Sequence, residues 1–294
     1  MGNITGRIEY FFKQKSVLSN LIFANILVFI ILRLGLVLKT LFNIDIDISM
    51  FLELSSNLEL LFARPWSIVS YMFVHLDFLH LLFNMLWLYW FGQIFLSYFN
   101  SKQLGGLYLI GGIAGASFFL LAYLFIPYFK AQEHFSSLIG ASASVMAIVF
   151  ASAFYNKSRS IHLLFLGEIK IIYIAIFSLL IDIFAMTSTN AGGHIAHLGG
   201  AFCGITYAQL AIKGHDLTKG INKMIDLIAN LFKKKKVVMK VSHHKRFESD
   251  YEYNSKKNKD KESVDKILDK IKISGYDSLT ASEKKQLFDA SNEK

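Results

Sequence analysis

Two short stretches of the chain carry the residue types that acyl-transfer chemistry requires. Gly140-Ala141-Ser142-Ala143 sets a serine on a turn of small residues at the opening of an apolar segment, and Gly193-His194-Ile195-Ala196-His197-Leu198-Gly199-Gly200 sets histidines at the opening of another. A serine hydroxyl acts as a nucleophile when a base takes its proton and donors hold the oxyanion that forms. Ser142 at a helix start has free backbone N–H groups and the positive end of the peptide dipoles around it. His197 is the candidate base. His80 and Asn84, four residues apart, share one face of a predicted helix and are candidate oxyanion donors. Loss of one such donor costs roughly 100- to 1,000-fold in rate. Ser144 competes with Ser142 for the nucleophile's place, but two residues along a helix rotate a side chain by about 200°, so only one of the two faces His197. The glycine before Ser142 favours that residue.

The elements that position these groups follow from the bulk of the sequence. At 294 residues and 53% hydrophobic, with 27 Phe and only 2 Pro and a mean hydropathy of +0.41, the chain is too apolar for an ordinary soluble domain. Six stretches have the length and composition of membrane-spanning helices: 18–38, 78–98, 104–126, 138–154, 169–186 and 194–212. The fold class is therefore an all-α polytopic membrane protein. Arg7, Lys13 and Lys15 precede the first stretch, Lys102 follows the second, and Lys157 and Arg159 follow the fourth. A basic tail follows the sixth, while Asp45, Asp47, Glu53 and Glu59 lie in an alternate connection. The positive-inside rule then puts both termini in the cytoplasm, and spans two, four and six start at the outer face. His75 and His80, Ser142, and His194 and His197 consequently meet at one depth. Ionisable groups inside a bilayer normally line a watered, protein-walled cavity, so that level is the candidate site.

The net charge of +9 reports this topology and not nucleic-acid binding. The single cysteine, Cys203, lies in an apolar segment, so neither a disulfide framework nor a thiolate cluster is expected. No cofactor is implied. The first connection, 39–65, mixes apolar residues with acids and is expected to lie in the outer interface. Gly105, Gly106, Gly111, Gly112 and Gly115, with Gly200 and Gly204, form packing faces where helix backbones approach closely. Asp182, near the outer end of the fifth span, either orients a histidine or caps a neighbouring helix, and the cap is the favoured reading. Arg33 snorkels or pairs.

Five segments result: a cytoplasmic 1–17, a six-helix membrane domain at 18–213, an amphipathic basic surface helix at 214–240, a flexible charged linker at 241–262, and a helical hairpin at 263–294. The surface helix carries Leu217, Ile221, Met224, Ile225, Ile228 and Leu231 at helical spacing before Lys233, Lys234, Lys235 and Lys236. In the hairpin, Gly275 stops one helix and Thr280 with Glu283 makes a capping box for the next.

Over residues 60–212 the chain resembles the rhomboid intramembrane serine proteases. Phe73-Val74-His75-Leu76-Asp77-Phe78-Leu79-His80-Leu81-Leu82-Phe83-Asn84 resembles the family's second helix, Gly140-Ala141-Ser142 its nucleophile turn, and Ala196-His197-Leu198-Gly199-Gly200-Ala201-Phe202-Cys203-Gly204 its sixth helix. The resemblance implies a six-helix rhomboid-like bundle and a Ser142/His197 dyad without a third acid. It further implies an oxyanion held by the Ser142 N–H, His80 and Asn84, and cleavage of transmembrane or juxtamembrane segments of other membrane proteins that arrive past a mobile fifth helix. The tail resembles a module found on some bacterial rhomboids, which implies a bacterial inner membrane. Three positions depart from the family pattern: Ala143 stands for the usual glycine, Met146 for an aromatic beneath the histidine, and Trp66-Ser67 with Arg64 for the first-loop Trp-Arg pair. Two other classes stay open. One is a catalytically inactive rhomboid-like protein that binds membrane clients; the other is a metal or proton transporter built on the two histidine pairs and Asp182. The oligomeric state is not legible.

Overall fold

A computed structural model of the chain describes residues 16–43, 47–131, 136–163, 167–188, 190–232 and 250–292. Arg7, Lys13, Lys15, Asp45, the lysines at 233–236 and the first part of the expected linker lie outside the described residues. The chain divides after Lys233 into two compact units.

The first unit is a helical membrane bundle. Helix α1, Val17–Phe42, starts where the Ser16 hydroxyl accepts the Ser19 amide at 3.1 Å and stops at Asn43, whose φ of 51° is left-handed. It leaves Phe23, Ile31, Leu34, Val37 and Leu41 exposed, a surface suited to hydrocarbon. Helix α2 is Phe78–Leu96 and α3 is Ser101–Phe125, the latter opened by a full capping box between Asn100 and Gln103. Then come α4, Ser142–Tyr155; α5, Ile171–Phe184; and α6, Ala191–Ile212. Helices α1, α2, α3 and α6 are long and apolar enough to cross a membrane. The chain is an integral membrane protein.

Helices α4 and α5 are apolar but have only 14 residues each, about 21 Å of rise. The predicted span 138–154 therefore needs correction at its start, because residues 138–141 are not helical. Leu138 belongs to a short strand β2, Ser137–Leu138, which pairs antiparallel with β1, Leu54–Ser55. The turn that follows holds Gly140 at φ +107°, outside the helical range of any L-residue. α4 can be short because its surroundings are protein: every residue from 143 to 153 is buried.

Small residues allow that burial. A Cβ on Gly111 or Gly115 of α3 would collide with Ala147 or Ala143 of α4, and one on Gly200 or Gly204 of α6 would overlap the carbonyl oxygens of the same two alanines. Close packing, of α3 glycines on the alanine methyls and of α6 glycines on the α4 backbone, thus fixes where α4, and Ser142 at its tip, stands between α3 and α6. A hairpin not foreseen in the connection after α4 joins β3, Ser160–Leu163, to β4, Gly167–Lys170, in antiparallel register Ser160↔Lys170.

The long first connection is folded onto the bundle. Arg64 donates to the Met50 carbonyl at 2.5 Å, Trp66 Nε1 to Phe51 at 2.8 Å, and Ser70 to Leu52 at 2.7 Å. The Arg64 guanidinium also lies 4.9 Å from the Phe51 ring centre. Arg64 thus supplies a loop anchor although Ser67 follows Trp66.

Helix α7, Lys219–Phe232, closes the first unit with Met224, Leu227, Ile228 and Leu231 on an exposed apolar face. The second unit is a hairpin of α8, Asp250–Ser274, and α9, Ala281–Asn292, turned at Gly275. α8 runs back through residues 250–262, where a flexible linker is expected from composition. Lys, Glu and Asp at helical spacing, with Glu262 against Lys266 at 3.5 Å, suit an exposed helix as well as a coil. Burial of Ile267 and Leu279 anchors the hairpin. The capping box forms: Glu283 accepts the Thr280 amide at 2.7 Å and also meets Lys270 at 2.9 Å.

Candidate active site

The turn before Ser142 is held by two hydrogen bonds. The Gly140 amide donates to the Tyr71 carbonyl at 2.9 Å, and the Ala141 amide donates to His75 Nε2 at 3.3 Å. Tyr71 is itself tied to α3, its hydroxyl donating to Gly112 at 2.7 Å. Accepting that amide takes a lone pair on Nε2, so the His75 ring that holds the turn is neutral. A Cβ at Gly140 would stand 2.8 Å from His80 Cε1. Glycine is needed there for its φ and for the closeness of that ring.

α2 delivers His80 and Asn84. Asp77 caps the helix, its carboxylate accepting the His80 amide at 2.9 Å, and thereby sets the first turn. The His80 ring packs edge-on against His75 with centres 5.1 Å apart. Asn84 donates to the His80 carbonyl at 2.9 Å, so its amide lies back along the helix towards the histidine.

From α6, His197 Nε2 reaches Ser142 Oγ at 2.7 Å. Ser144 points elsewhere: its hydroxyl is buried on the α3 side next to Gly112 and has no hydrogen-bond partner among the described residues. Ser142, His197, His80 and Asn84 share a cavity of about 470 Å³ with Phe83, Trp87 and Met146. This volume lies within the usual range of small-molecule and peptide side-chain sites. Met146 lines the wall, its sulfur 4.0 Å from the Ser178 hydroxyl.

Asp182 occupies a different place from the one favoured on sequence. Its Oδ1 lies 2.7 Å from His197 Nδ1 and 2.8 Å from His194 Nδ1, so its partners are two imidazoles and not a helix end. The three donor atoms lie within 4.8 Å of one another, close enough for one divalent cation. A cation there would need both Nδ1 atoms deprotonated and would displace both hydrogen bonds to the carboxylate. The signal in the sequence was the carboxylate itself, set in an apolar helix at the level of the histidines.

Residues 63–214 match the family model described as the Rhomboid domain. Residues 248–293 match a family of unknown function, DUF6576. The chain is 29% identical over 197 residues to RHOMBOID-like protein 12, mitochondrial, of Arabidopsis thaliana, an overlap of 64% of this chain and 56% of that protein. The chain thus spans little more than half the length of this relative.

Proposed function

The chain belongs to the rhomboid family, and from that premise we propose that it is an intramembrane serine endopeptidase with Ser142 as nucleophile and His197 as base. The observation that carries this reading is the 2.7 Å contact between Ser142 Oγ and His197 Nε2 at the wall of a 470 Å³ cavity. His197 Nε2 takes the Ser142 proton as Oγ bonds to the scissile carbonyl carbon. The oxyanion that forms meets the N–H groups at the start of α4, with His80 and Asn84 as further donors. His197 returns the proton to the leaving amine as the C–N bond breaks, and water, activated by the same imidazole, hydrolyses the acyl-enzyme.

The proposed substrates are transmembrane or juxtamembrane segments of membrane proteins. An extended peptide is required, because the carbonyl of an intact helix is already hydrogen-bonded within its own backbone. Small residues at the cut suit a site walled by Trp87, Met146 and Phe83. We place α1 to α6 across a bacterial inner membrane, with both termini in the cytoplasm by the positive-inside rule, and the cavity towards the outer face.

The test is labelling of the detergent-solubilised full-length protein by a fluorophosphonate. Label is expected in the wild type and in Ser144→Ala, and none in folded Ser142→Ala or His197→Ala. Folded wild type that stays unlabelled, while an active serine hydrolase labels in parallel, would overturn the endopeptidase reading in favour of client binding.

A further inference from the structure

We infer that Asp182 is a positioning residue for His197, so that the proposed hydrolytic machinery is a Ser-His-Asp relay and not a two-residue dyad. This rests on the endopeptidase reading and deepens it.

α5 is 14 residues long and buries only Ile171, Ala175 and Asp182, while Tyr173, Phe177, Leu180 and Phe184 are exposed. A carboxylate at 5% exposure in such a helix is costly unless partners compensate it. The two imidazoles supply that compensation through a single oxygen, at 2.7 Å and 2.8 Å.

The donor inventory then settles the protons. An ionised carboxylate only accepts, so each contact at Oδ1 requires an N–H on the facing Nδ1. A neutral His197 with hydrogen on Nδ1 has a bare lone pair on Nε2, and Nε2 is the atom 2.7 Å from Ser142 Oγ. That is the tautomer a general base needs. The opposite tautomer would bring two lone pairs together at Asp182 and a hydrogen towards the serine. When Nε2 takes the Ser142 proton, the imidazolium lies beside a fixed negative charge in a site of low dielectric, without protonation of the carboxylate.

His194 has a separate part. Its Nδ1–H on the same oxygen holds Asp182 in place from a side chain that is only 18% exposed. The charged or titratable groups facing His197 are Asp182 from α5, His194 from its own helix, and His80 from α2.

The experiment measures fluorophosphonate inactivation of the full-length protein for wild type, Asp182→Asn, Asp182→Glu and Ser142→Ala, together with thermal midpoints. In the serine-protease triad the equivalent acid-to-amide change costs about 10⁴-fold. A fall of at least about 100-fold in kinact at unchanged KI is expected for Asp182→Asn, with Asp182→Glu recovering a measurable part of the loss. A strongly deshielded Nδ1–H proton resonance of His197 is expected in the wild type and in Ser142→Ala, and its loss in Asp182→Asn. A helix tie without a positioning role would lower the thermal midpoint and leave kinact of the remaining folded protein unchanged. Asp182→Asn labelled at the wild-type rate overturns this inference alone. An unlabelled wild type overturns it together with the endopeptidase reading.

Discussion

Replacing Gly140 by alanine is the most demanding test of how Ser142 is held. Two separate strains follow. The backbone at φ +107° is a conformation that L-residues rarely adopt, worth about 1–3 kcal/mol. The new Cβ would also stand 2.8 Å from His80 Cε1 and 3.1 Å from Nε2. The ring must then leave its preferred rotamer, at about 0.5–1.5 kcal/mol. Together the loss is about 1.5–4.5 kcal/mol. For a domain of this size each kcal/mol lowers the thermal midpoint by about 2–4 °C. If instead the turn yields, Ser142 moves relative to His197, and a displacement of 1 Å can cost about 100-fold in rate. A double-mutant cycle separates the strains. In a His80→Ala background the steric part vanishes and the dihedral part stays, so Gly140→Ala should cost about 0.5–1.5 kcal/mol less there than in the wild type. Thermal midpoints and fluorophosphonate labelling of the four proteins measure it. A Gly140→Ala protein with wild-type midpoint and labelling would refute the account of the turn, and additive effects would refute the His80 contact.

Other expectations follow from the packing and the tail. Gly200→Ala drives a methyl into the Ala143 backbone carbonyl and should destabilise by more than the roughly 1–3 kcal/mol of ordinary overpacking, because a backbone cannot rotate away; the midpoint of the purified protein checks it. Ser144→Ala removes a buried hydroxyl without a partner among the described residues and should be neutral or stabilising, with labelling within about twofold of wild type. Glu283 is held at about 2 by the Thr280 amide first, then Lys270 and the Thr280 hydroxyl, against an ordinary 4.5. Its folded value is depressed, so its contribution is present above pH 4.5 and is lost as pH falls towards about 2. Hydrogen exchange at residues 281–292 of the full-length protein should show protection falling over that window, and Glu283→Gln should flatten the dependence.

Much of the bundle was legible because membrane length is a strong signal. The stretches 18–38, 78–98, 104–126 and 194–212 each fall on a long helix, displaced at the ends by a few residues. The start of α4 was not legible. Residues 138–141 are as apolar and small as a helix requires, and what excludes them from α4 is tertiary: the pairing of Leu138 with Leu54 and the bonds from Tyr71 and His75. The β3–β4 hairpin was missed because its four-residue strands are too short for a period-two pattern to stand out. In the tail, charge composition argued for coil over 241–262, whereas α8 already begins at Asp250. Helix geometry allows only one of Ser142 and Ser144 to face His197, the glycine before Ser142 favours that residue, and the two hydroxyls lie on different sides of α4.

The position of Asp182 also bears on how a substrate and a base can share one wall. Ser178, Ile181 and Asp182 form the α5 side of the cavity, facing Phe83 and Trp87 of α2. α5 has few buried side chains to hold it, and one of the three is the carboxylate bound to His197. A segment that reached Ser142 by pushing α5 outward would therefore lengthen the 2.7 Å contact that sets the imidazole's tautomer. On the reading proposed above, the Asp182 carboxylate and the His197 imidazole are in register when α5 lies against α6. On that reading, outward movement of α5 and activation of His197 oppose one another, because the Asp182 contact is made with α5 against α6.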